Sequence, residues 1–242
     1  YSADLGGRLR ERIYSEVIPQ LAQAIARARK LDNPDSDALD ATYQMALTLL
    51  FRLLFIAYAE DKGLLPYKTN EAFKARWLKQ KAQELLRMER QNAHFDTRST
   101  LWDEINGLFE AIDKGDKRLG IPPYNGGLFA SDTNTSPIGA ALAAISLTDE
   151  QFGPALRDLM CEDSPDGGLG AVDFRSLSVR EFGTIYEGLL QSELSIAQTD
   201  LGLDNEGLYV PVTDPKRIVV PAGMIYLHNA SGARKSTGSY YT

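Results

Sequence analysis

Apolar residues recur at helical spacing along most of the chain. In the first apolar run they lie four positions apart on one stripe, formed by Leu9, Ile13, Val17, Leu21 and Ile25. Pro19 lies inside this run and predicts a kink or a split. The pattern predicts helices over residues 5–30, 38–62, 70–92, 98–114, 137–145, 148–161 and 178–193.

The helix predicted over residues 38–62 is apolar on most of its sides, so we expect other helices to surround it. Ser36 or Asp37 is its candidate N-cap, and Gly63 followed by Pro66 predicts its end. Further candidate caps are Thr69 or Asn70, Ser99 or Thr100, Thr148 and Ser178. The last helix is expected to turn Phe182, Ile185, Tyr186, Leu189 and Leu190 inward.

The remaining segments predict loops and a small amount of β structure. Residues 116–137 and 162–170 are rich in Pro or Gly and predict irregular segments. After Thr199, short β-branched or aromatic runs at 207–212, 217–220 and 224–228 predict a small hairpin or a three-stranded meander. The predicted fold is therefore mainly α: a bundle-like helical domain over 1–199, a β appendage over 200–233 and an extended, poorly packed tail over 234–242.

Composition limits the classes of function. A net charge of −7 does not suit a molecule that binds nucleic acid over its whole surface, so any basic surface must be local. The single cysteine, Cys161, excludes an internal disulfide, suits a reducing cytoplasm and is interpreted as structural. The most apolar run, residues 45–59, contains Arg52 and is too short to span a bilayer.

The sequence carries no complete catalytic or metal motif. It has no Gly-rich strand–turn–helix for a nucleotide, and His94 and His228 lack a ligand pattern. Pro34-Asp35 with Glu60-Asp61-Lys62 imitates a nuclease motif, but the Glu and Lys end an apolar helix, so we interpret the match as chance. Simple solvation of a helix end is the favoured interpretation of Glu60 and Asp61, and a functional or interdomain contact is the alternative.

Ile121-Pro122-Pro123-Tyr124 imitates the motif with which amino-methyltransferases hold a flipped base. That motif begins with a polar residue that accepts hydrogen bonds from the target amino group. Ile121 offers no acceptor, so this segment is predicted to be a rigid turn. No catalytic residue is therefore assigned within these 242 residues.

One helix carries a basic stripe. Arg76, Lys79, Arg87 and Arg90 fall within roughly 80° of one another on a helical wheel. These cations could neutralise DNA phosphates, which would make binding sensitive to salt. A solvated helix face is the alternative interpretation, and the negative net charge favours it.

Four stretches stand out in order along the chain: Phe51–Pro66 (FRLLFIAYAEDKGLLP), Tyr124–Phe129 (YNGGLF), Leu177–Leu190 (LSVREFGTIYEGLL) and Arg234–Thr242 (RKSTGSYYT). Together they resemble one family of large bacterial restriction–modification and phage-defence proteins. The last stretch is similar to the motif that opens the N6-adenine DNA methyltransferase domain of these proteins. The resemblance covers about residues 40–242.

The resemblance implies that the chain is the helical region that precedes a methyltransferase core. It implies S-adenosylmethionine as the cofactor of an intact protein acting on double-stranded DNA, with Gly238, Tyr240, Tyr241 and Thr242 on the cofactor side. Because most of that pocket would follow Thr242, we expect no cofactor to bind these residues alone. A helical spacer that links modules and braces DNA is the first hypothesis. The second hypothesis is a protein-interaction scaffold without nucleic-acid contact. Such a scaffold could associate with itself through the edges of its β appendage, and it is not expected to bind a membrane.

Overall fold

A computed structural model describes residues 5–66, 68–124 and 126–230, and it confirms the mainly α fold. The helices are α1 Leu5–Arg12, α2 Ile18–Ala28, α3 Ser36–Asp61, α4 Glu71–Lys74, α5 Leu78–Arg90, α6 Thr100–Lys114, α7 Pro137–Ala143, α8 Asp149–Met160 and α9 Val179–Leu190. The strands are β1 Cys161–Asp163, β2 Leu169–Ala171, β3 Ser192–Ile196, β4 Leu201–Leu203, β5 Tyr209–Pro211 and β6 Ile225–Asn229.

Helix α3 is the centre of the fold, and it contacts α2, α5, α7 and β3. Its N-cap is Asp35, one residue before the predicted caps, because Asp35 has extended backbone and its carboxylate accepts the N–H of Ala38 at 2.8 Å. The helix ends at Asp61, and Gly63 adopts the predicted left-handed conformation with φ of +72°. The apolar run at residues 45–59 is shorter than a bilayer, but α3, which contains it, is long and apolar enough to cross a membrane by length and composition. However, 67% of its apolar window is buried inside the protein. That burial is typical of the core helix of a soluble protein.

The first apolar run is divided by a π turn, Ile13–Val17, that joins α1 to α2. Pro19 lies in the first turn of α2 and cannot donate to the carbonyl of Ser15, which belongs to the π turn. The expected disturbance around Pro19 therefore takes the form of a wider turn within a continuing helix. Leu9 and Leu21, on either side of that turn, are both fully buried.

The prediction of one helix over residues 70–92 is wrong, because α4 ends at Lys74 and α5 begins at Leu78. Asn70 caps α4 by accepting the N–H of Phe73 at 3.0 Å, which agrees with one of the two predicted caps. Trp77 has extended backbone with ψ of 156°, so the chain leaves the helical path before α5. The break comes from a tertiary contact at the start of α5, described below.

A β-hairpin occupies the segment that was predicted to be a loop over residues 162–170. Strands β1 and β2 pair antiparallel, with Cys161 opposite Ala171. Gly167 and Gly168 form its turn with φ of +88° and +74°, conformations that a β-carbon disfavours. Cys161 itself is buried, and burial raises the pKa of its thiol to about 11, which confirms its structural interpretation.

Of the two predicted alternatives for the C-terminal β structure, a small hairpin is present as β4 with β5, whereas the three predicted runs do not pair with one another as a meander. Strand β6 pairs antiparallel with β3, and β4 pairs with β5, so the described part of the chain has two-stranded ladders only. Residues 217–220 form no strand beyond a single bridge between Leu201 and Val220, and Ser192 and Glu193 lie in β3 although they were predicted to end a helix. Leu194 and Leu227 join the main core, so the β3–β6 ladder packs against the helices.

Helix α9 buries a narrower face than the sequence predicts. Ile185 and Leu189 are buried, whereas Tyr186 is 48% exposed and Leu190 is 55% exposed. The expectation that these last two residues point inward is therefore wrong. Phe182 and Tyr186 contact Tyr58 and Phe51 of α3 at the edge of the buried face. Val179 and Leu190 lie beyond that edge and are exposed.

Candidate functional site

The residues assigned to the cofactor side, Gly238, Tyr240, Tyr241 and Thr242, lie outside the described residues. The expectation of an extended, poorly packed tail falls on the same segment. The described chain reaches Ala230, whose N–H donates to the carbonyl of Gln191 just after α9. Among the described residues, no group of His, Cys, Asp and Glu could hold a metal ion.

The structure separates the four candidate DNA-contact residues into two kinds. Arg76 is exposed in the turn between α4 and α5, and Arg87 and Arg90 are exposed near the end of α5, where the helix dipole favours cations. None of these three arginines forms an ion pair with another residue in the described parts of the chain. Lys79 is different, because its ammonium group pairs with the carboxylate of Asp61 on α3.

Lys79 belongs to a buried junction that joins the end of α3 to two other segments. The carboxylate of Glu60 is buried and accepts the N–H groups of Leu78 at 2.8 Å and Lys79 at 3.3 Å. Asp61 pairs with Lys79 and also accepts the N–H of Phe174 at 2.8 Å. The interpretation of Glu60 and Asp61 as a solvated helix end is therefore wrong. We call Glu60, Asp61, Leu78, Lys79 and Phe174 the α3–α5 junction.

This junction explains why the predicted third helix is broken. The first N–H groups of a helix have no partner within the helix, and a carboxylate placed there satisfies them. Glu60 supplies the carboxyl oxygens that accept these N–H groups from α3, so α5 begins at Leu78 instead of continuing from α4. The signal in the sequence was the pair of acidic residues at the C-terminal end of an apolar helix, where the helix dipole disfavours them.

Burial dominates the protonation of Glu60 and raises its pKa to about 8. The N–H groups of Leu78 and Lys79 act in the opposite direction, as does the charge of Lys79, while the charge of Asp61 adds to the increase. The carboxyl group therefore carries a proton over much of the neutral range. With two backbone donors on it and almost no exposure, Glu60 holds two helices together.

The imitation of a nuclease motif fails in three dimensions. Asp35 caps one end of α3 and Glu60 lies near the other end of this 26-residue helix. At about 1.5 Å per residue, their backbones are separated by about 37 Å, so the two carboxylates cannot share a metal ion.

A buried arginine organises the irregular segment that follows α6. The guanidinium of Arg52 donates to the carbonyl of Leu128 at 2.7 Å and to that of Ala130 at 2.9 Å. It also lies 5.3 Å from the ring centre of Phe109 and 6.0 Å from that of Phe129. Arg52 is only 3% exposed, and burial lowers its pKa. One residue of α3 therefore fixes the path of residues 128–130.

The segment that imitates a base-binding motif lies in this same region. Ile121 is buried, and its backbone pairs with Asp116 in a single antiparallel bridge. Tyr124 is 41% exposed and its ring meets Phe55 edge-on at 6.3 Å. The predicted turn within 121–124 is not observed, because the chain turns at 117–120 and residues 122–124 lie after the bridge. The first position of the motif is an apolar core residue.

Three of the four family-like stretches meet at the C-terminal half of α3, which forms part of the first of them. Phe51 contacts Tyr186 at 5.3 Å, and Tyr58 contacts Phe182 at 5.1 Å between ring centres. On the other flank, Phe55 contacts Phe129 at 5.5 Å. The end of α3 thus lies between the segment containing residues 126–129 and helix α9. Comparison of the chain with protein-family models, with curated proteins and with solved structures found no match.

Proposed function

We propose that this chain is the helical, non-catalytic region that precedes the catalytic core of a bacterial N6-adenine DNA methyltransferase of the restriction–modification or phage-defence type, acting in the cytoplasm. One observation carries the proposal beyond the sequence resemblance. Three stretches that resemble the family, far apart in the sequence, pack together on α3 through aromatic contacts of 5.1–5.5 Å. The fourth stretch begins at Arg234, four residues after Ala230.

The role that suits this architecture is to hold other modules at a fixed separation. Arg52 ties α3 to residues 128–130, and the α3–α5 junction ties the end of α3 to α5 and to Phe174. These contacts are buried and directional, so they constrain the angles between elements more than apolar contacts alone do. S-adenosylmethionine would be held by Gly238, Tyr240, Tyr241 and Thr242 together with a catalytic core.

The coding sequence gives the first test of this proposal. Read beyond Thr242, the gene is expected to encode a Gly-rich strand followed by an Asn- or Asp-Pro-Pro-aromatic motif within about two hundred residues, the length of a typical domain. The intact product is then expected to transfer a methyl group from S-adenosylmethionine to adenine in duplex DNA. A continuing sequence without either motif would remove the methyltransferase from the proposal.

Contact with DNA is the second part of the proposal, and it rests on Arg76, Arg87 and Arg90. Lys79 is assigned to the α3–α5 junction because its ammonium group is already paired with Asp61. Each arginine that neutralises a phosphate releases a counterion, so the slope of log affinity against log salt is expected to be about −0.9 per contact. With three contacts, binding to duplex DNA is weak, independent of sequence and strongly reduced by salt.

Fluorescence anisotropy with a labelled duplex tests this part directly. Arg87→Glu/Arg90→Glu is expected to abolish binding at low salt and to leave the fold unchanged, because both side chains are exposed. Lys216→Glu/Arg217→Glu is the matched control, since it makes the same change in charge at two exposed cations near the β4–β5 ladder. Equal loss of binding in both variants would show that net charge, and not a site on α5, governs the interaction.

A protein-interaction scaffold is the second candidate function. The observation that favours it is the exposed apolar surface of α9, where Val179 is 78% exposed and Leu190 is 55% exposed. The net charge of −7 points in the same direction. Absence of DNA binding by the unaltered protein at low salt would favour this second function.

A further inference from the structure

The outer face of α9 has the spacing of a helix–helix interface, and within the described chain only Tyr186, at its edge, has an aromatic contact, with Phe51 of α3. Its apolar positions are Val179, Gly183, Tyr186 and Leu190, separated by four, three and four residues. Core positions in a pair of packed helices show the same alternating spacing of three and four residues. The four positions span about 60° of the helix circumference. Val179, Tyr186 and Leu190 are 78%, 48% and 55% exposed.

Gly183 is a second, independent observation on the same face. A glycine within a helix destabilises it by about 0.5–1 kcal/mol relative to alanine. The glycine at position 188 of the same helix is required by a neighbour, because a β-carbon there would collide with the hydroxyl of Tyr14. At Gly183 a β-carbon would meet nothing within 4 Å, so no contact in the described structure requires it. A small residue at the centre of an apolar stripe lets a second helix approach closely.

The charges beside this stripe identify the partner. Arg180 and Glu187 are both exposed, lie seven residues apart on the same flank, and form no ion pair with any described residue. When two copies of such a helix lie antiparallel, like flanks face each other across the interface. Arg180 of one copy then faces Glu187 of the other, and the reverse pair forms by symmetry.

One register brings the apolar positions opposite one another and the charged side chains close together. Antiparallel helices related by a two-fold axis midway between residues 184 and 185 place Val179 opposite Leu190 and Gly183 opposite Tyr186. In that register Arg180 is displaced by two residues, about 3 Å along the helix, from the position opposite Glu187, an offset that two long side chains can span. A two-fold interface must be complementary to itself, and this face is complementary in both shape and charge.

We propose that a second copy of this chain packs antiparallel on the outer face of α9, forming a two-fold symmetric dimer. The interface is confined to one helix of 12 residues, together with whatever neighbouring surface it brings into contact. Interfaces this small fall in the weak class, and a dissociation constant on the order of micromolar is expected. This proposal does not depend on the methyltransferase assignment.

Analytical ultracentrifugation over about 1–200 µM protein measures the association, a range that brackets weak interfaces. A reversible monomer–dimer equilibrium is expected for the unaltered protein, and Leu190→Asp should raise its dissociation constant by at least about tenfold. Leu64→Asp is the matched control, because Leu64 is 65% exposed but lies outside α9. A protein that stays monomeric throughout, or a dimer equally sensitive to both substitutions or to neither, would overturn the proposal.

Charge reversal tests the antiparallel register. Arg180→Glu and Glu187→Arg should each weaken the dimer, because each places like charges opposite one another. The combined variant Arg180→Glu/Glu187→Arg should restore the dissociation constant, a result that a merely structural role cannot produce. A combined variant weaker than either single variant would show that these residues do not face each other.

Disulfide trapping measures the direction of the helices. A mixture of the Val179→Cys and Leu190→Cys proteins should form cross-linked dimers under mild oxidation, and either protein alone should not. Cys161 is buried and does not compete. Efficient cross-linking of Val179→Cys with itself would indicate parallel helices and would refute the proposed arrangement.

Discussion

Substitution of Glu60 by glutamine should change how the stability of the protein depends on pH. The carboxyl group of Glu60 is buried, and its pKa is raised from 4.5 to about 8 in the folded protein. The folded state therefore holds this proton more tightly than the unfolded state. Its stabilising contribution is complete below the unfolded pKa of 4.5 and is lost as the pH rises through about 8.

The size of the effect follows from the two pKa values. Raising the pKa from 4.5 to about 8 corresponds to roughly 5 kcal/mol in total, at about 1.4 kcal/mol for each tenfold change in proton affinity. Between about pH 5 and about pH 8.5, Glu60 should lower the free energy of unfolding by roughly 4 kcal/mol. Glutamine cannot ionise, so this loss should be absent from the variant.

Glutamine also has a cost that does not depend on pH. The hydroxyl oxygen of the protonated carboxyl group can still accept an N–H, but the amide nitrogen of glutamine cannot, so the N–H of Leu78 or of Lys79 loses its acceptor at a cost of about 1–3 kcal/mol. The variant should therefore be less stable than the unaltered protein at about pH 5. At about pH 8.5 it should be more stable, because ionisation of Glu60 then costs the unaltered protein more than the missing acceptor costs the variant. The two stability curves should cross below about pH 7.

Urea unfolding followed by far-ultraviolet circular dichroism, repeated across this pH range, measures both curves. Taking the difference between the two proteins removes the contribution of every other titrating group. Glu71→Gln is the control, because Glu71 is 87% exposed and its variant should run parallel to the unaltered protein. A difference between Glu60→Gln and the unaltered protein that is constant with pH would refute the reasoning. It would mean that the two N–H donors and Lys79 outweigh burial and keep Glu60 ionised.

Three further predictions concern other buried or capping groups. Arg52→Met should lower the free energy of unfolding by about 2–4 kcal/mol in urea titration, because the carbonyls of Leu128 and Ala130 lose a charged donor. Ser178→Ala should lower it by about 1 kcal/mol in the same titration, because the capping box at the start of α9 is broken, whereas Ser178→Thr should retain most of the stability. Cys161 should resist a thiol reagent at neutral pH in the folded protein and react on unfolding in urea, because burial raises its pKa to about 11.

Local signals account for the parts of the fold that the sequence predicts well. The apolar run of α3 and the glycine at position 63 locate that helix to within two residues at either end. The capping boxes that begin at Thr148 and Ser178 locate the starts of α8 and α9. In each case the residues that determine the element lie within the element or beside it.

The elements that were predicted wrongly are determined by residues far away in the sequence. The third helix is broken by Glu60, which belongs to α3, and strand β3 exists because it pairs with β6, about thirty residues later. The same holds for the candidate site. A helical wheel identifies Arg87 and Arg90 as exposed cations but cannot reveal that Lys79 is paired with Asp61 of another helix.

The distribution of these buried charges bears on what the exposed face of α9 is for. Arg52 and the α3–α5 junction satisfy their polar groups within the chain and fix the inner side of the fold without help from the outer stripe of α9. Tyr186 keeps an aromatic contact with Phe51, but Val179 and Leu190 expose apolar surface that the fold does not use. An apolar stripe with flanking charges of opposite sign adds nothing to a monomer, and it increases the risk of aggregation. Its presence is accounted for if a second copy of α9 packs on this face. The charge-reversal experiment distinguishes this symmetric partner from any partner that lacks the same symmetry.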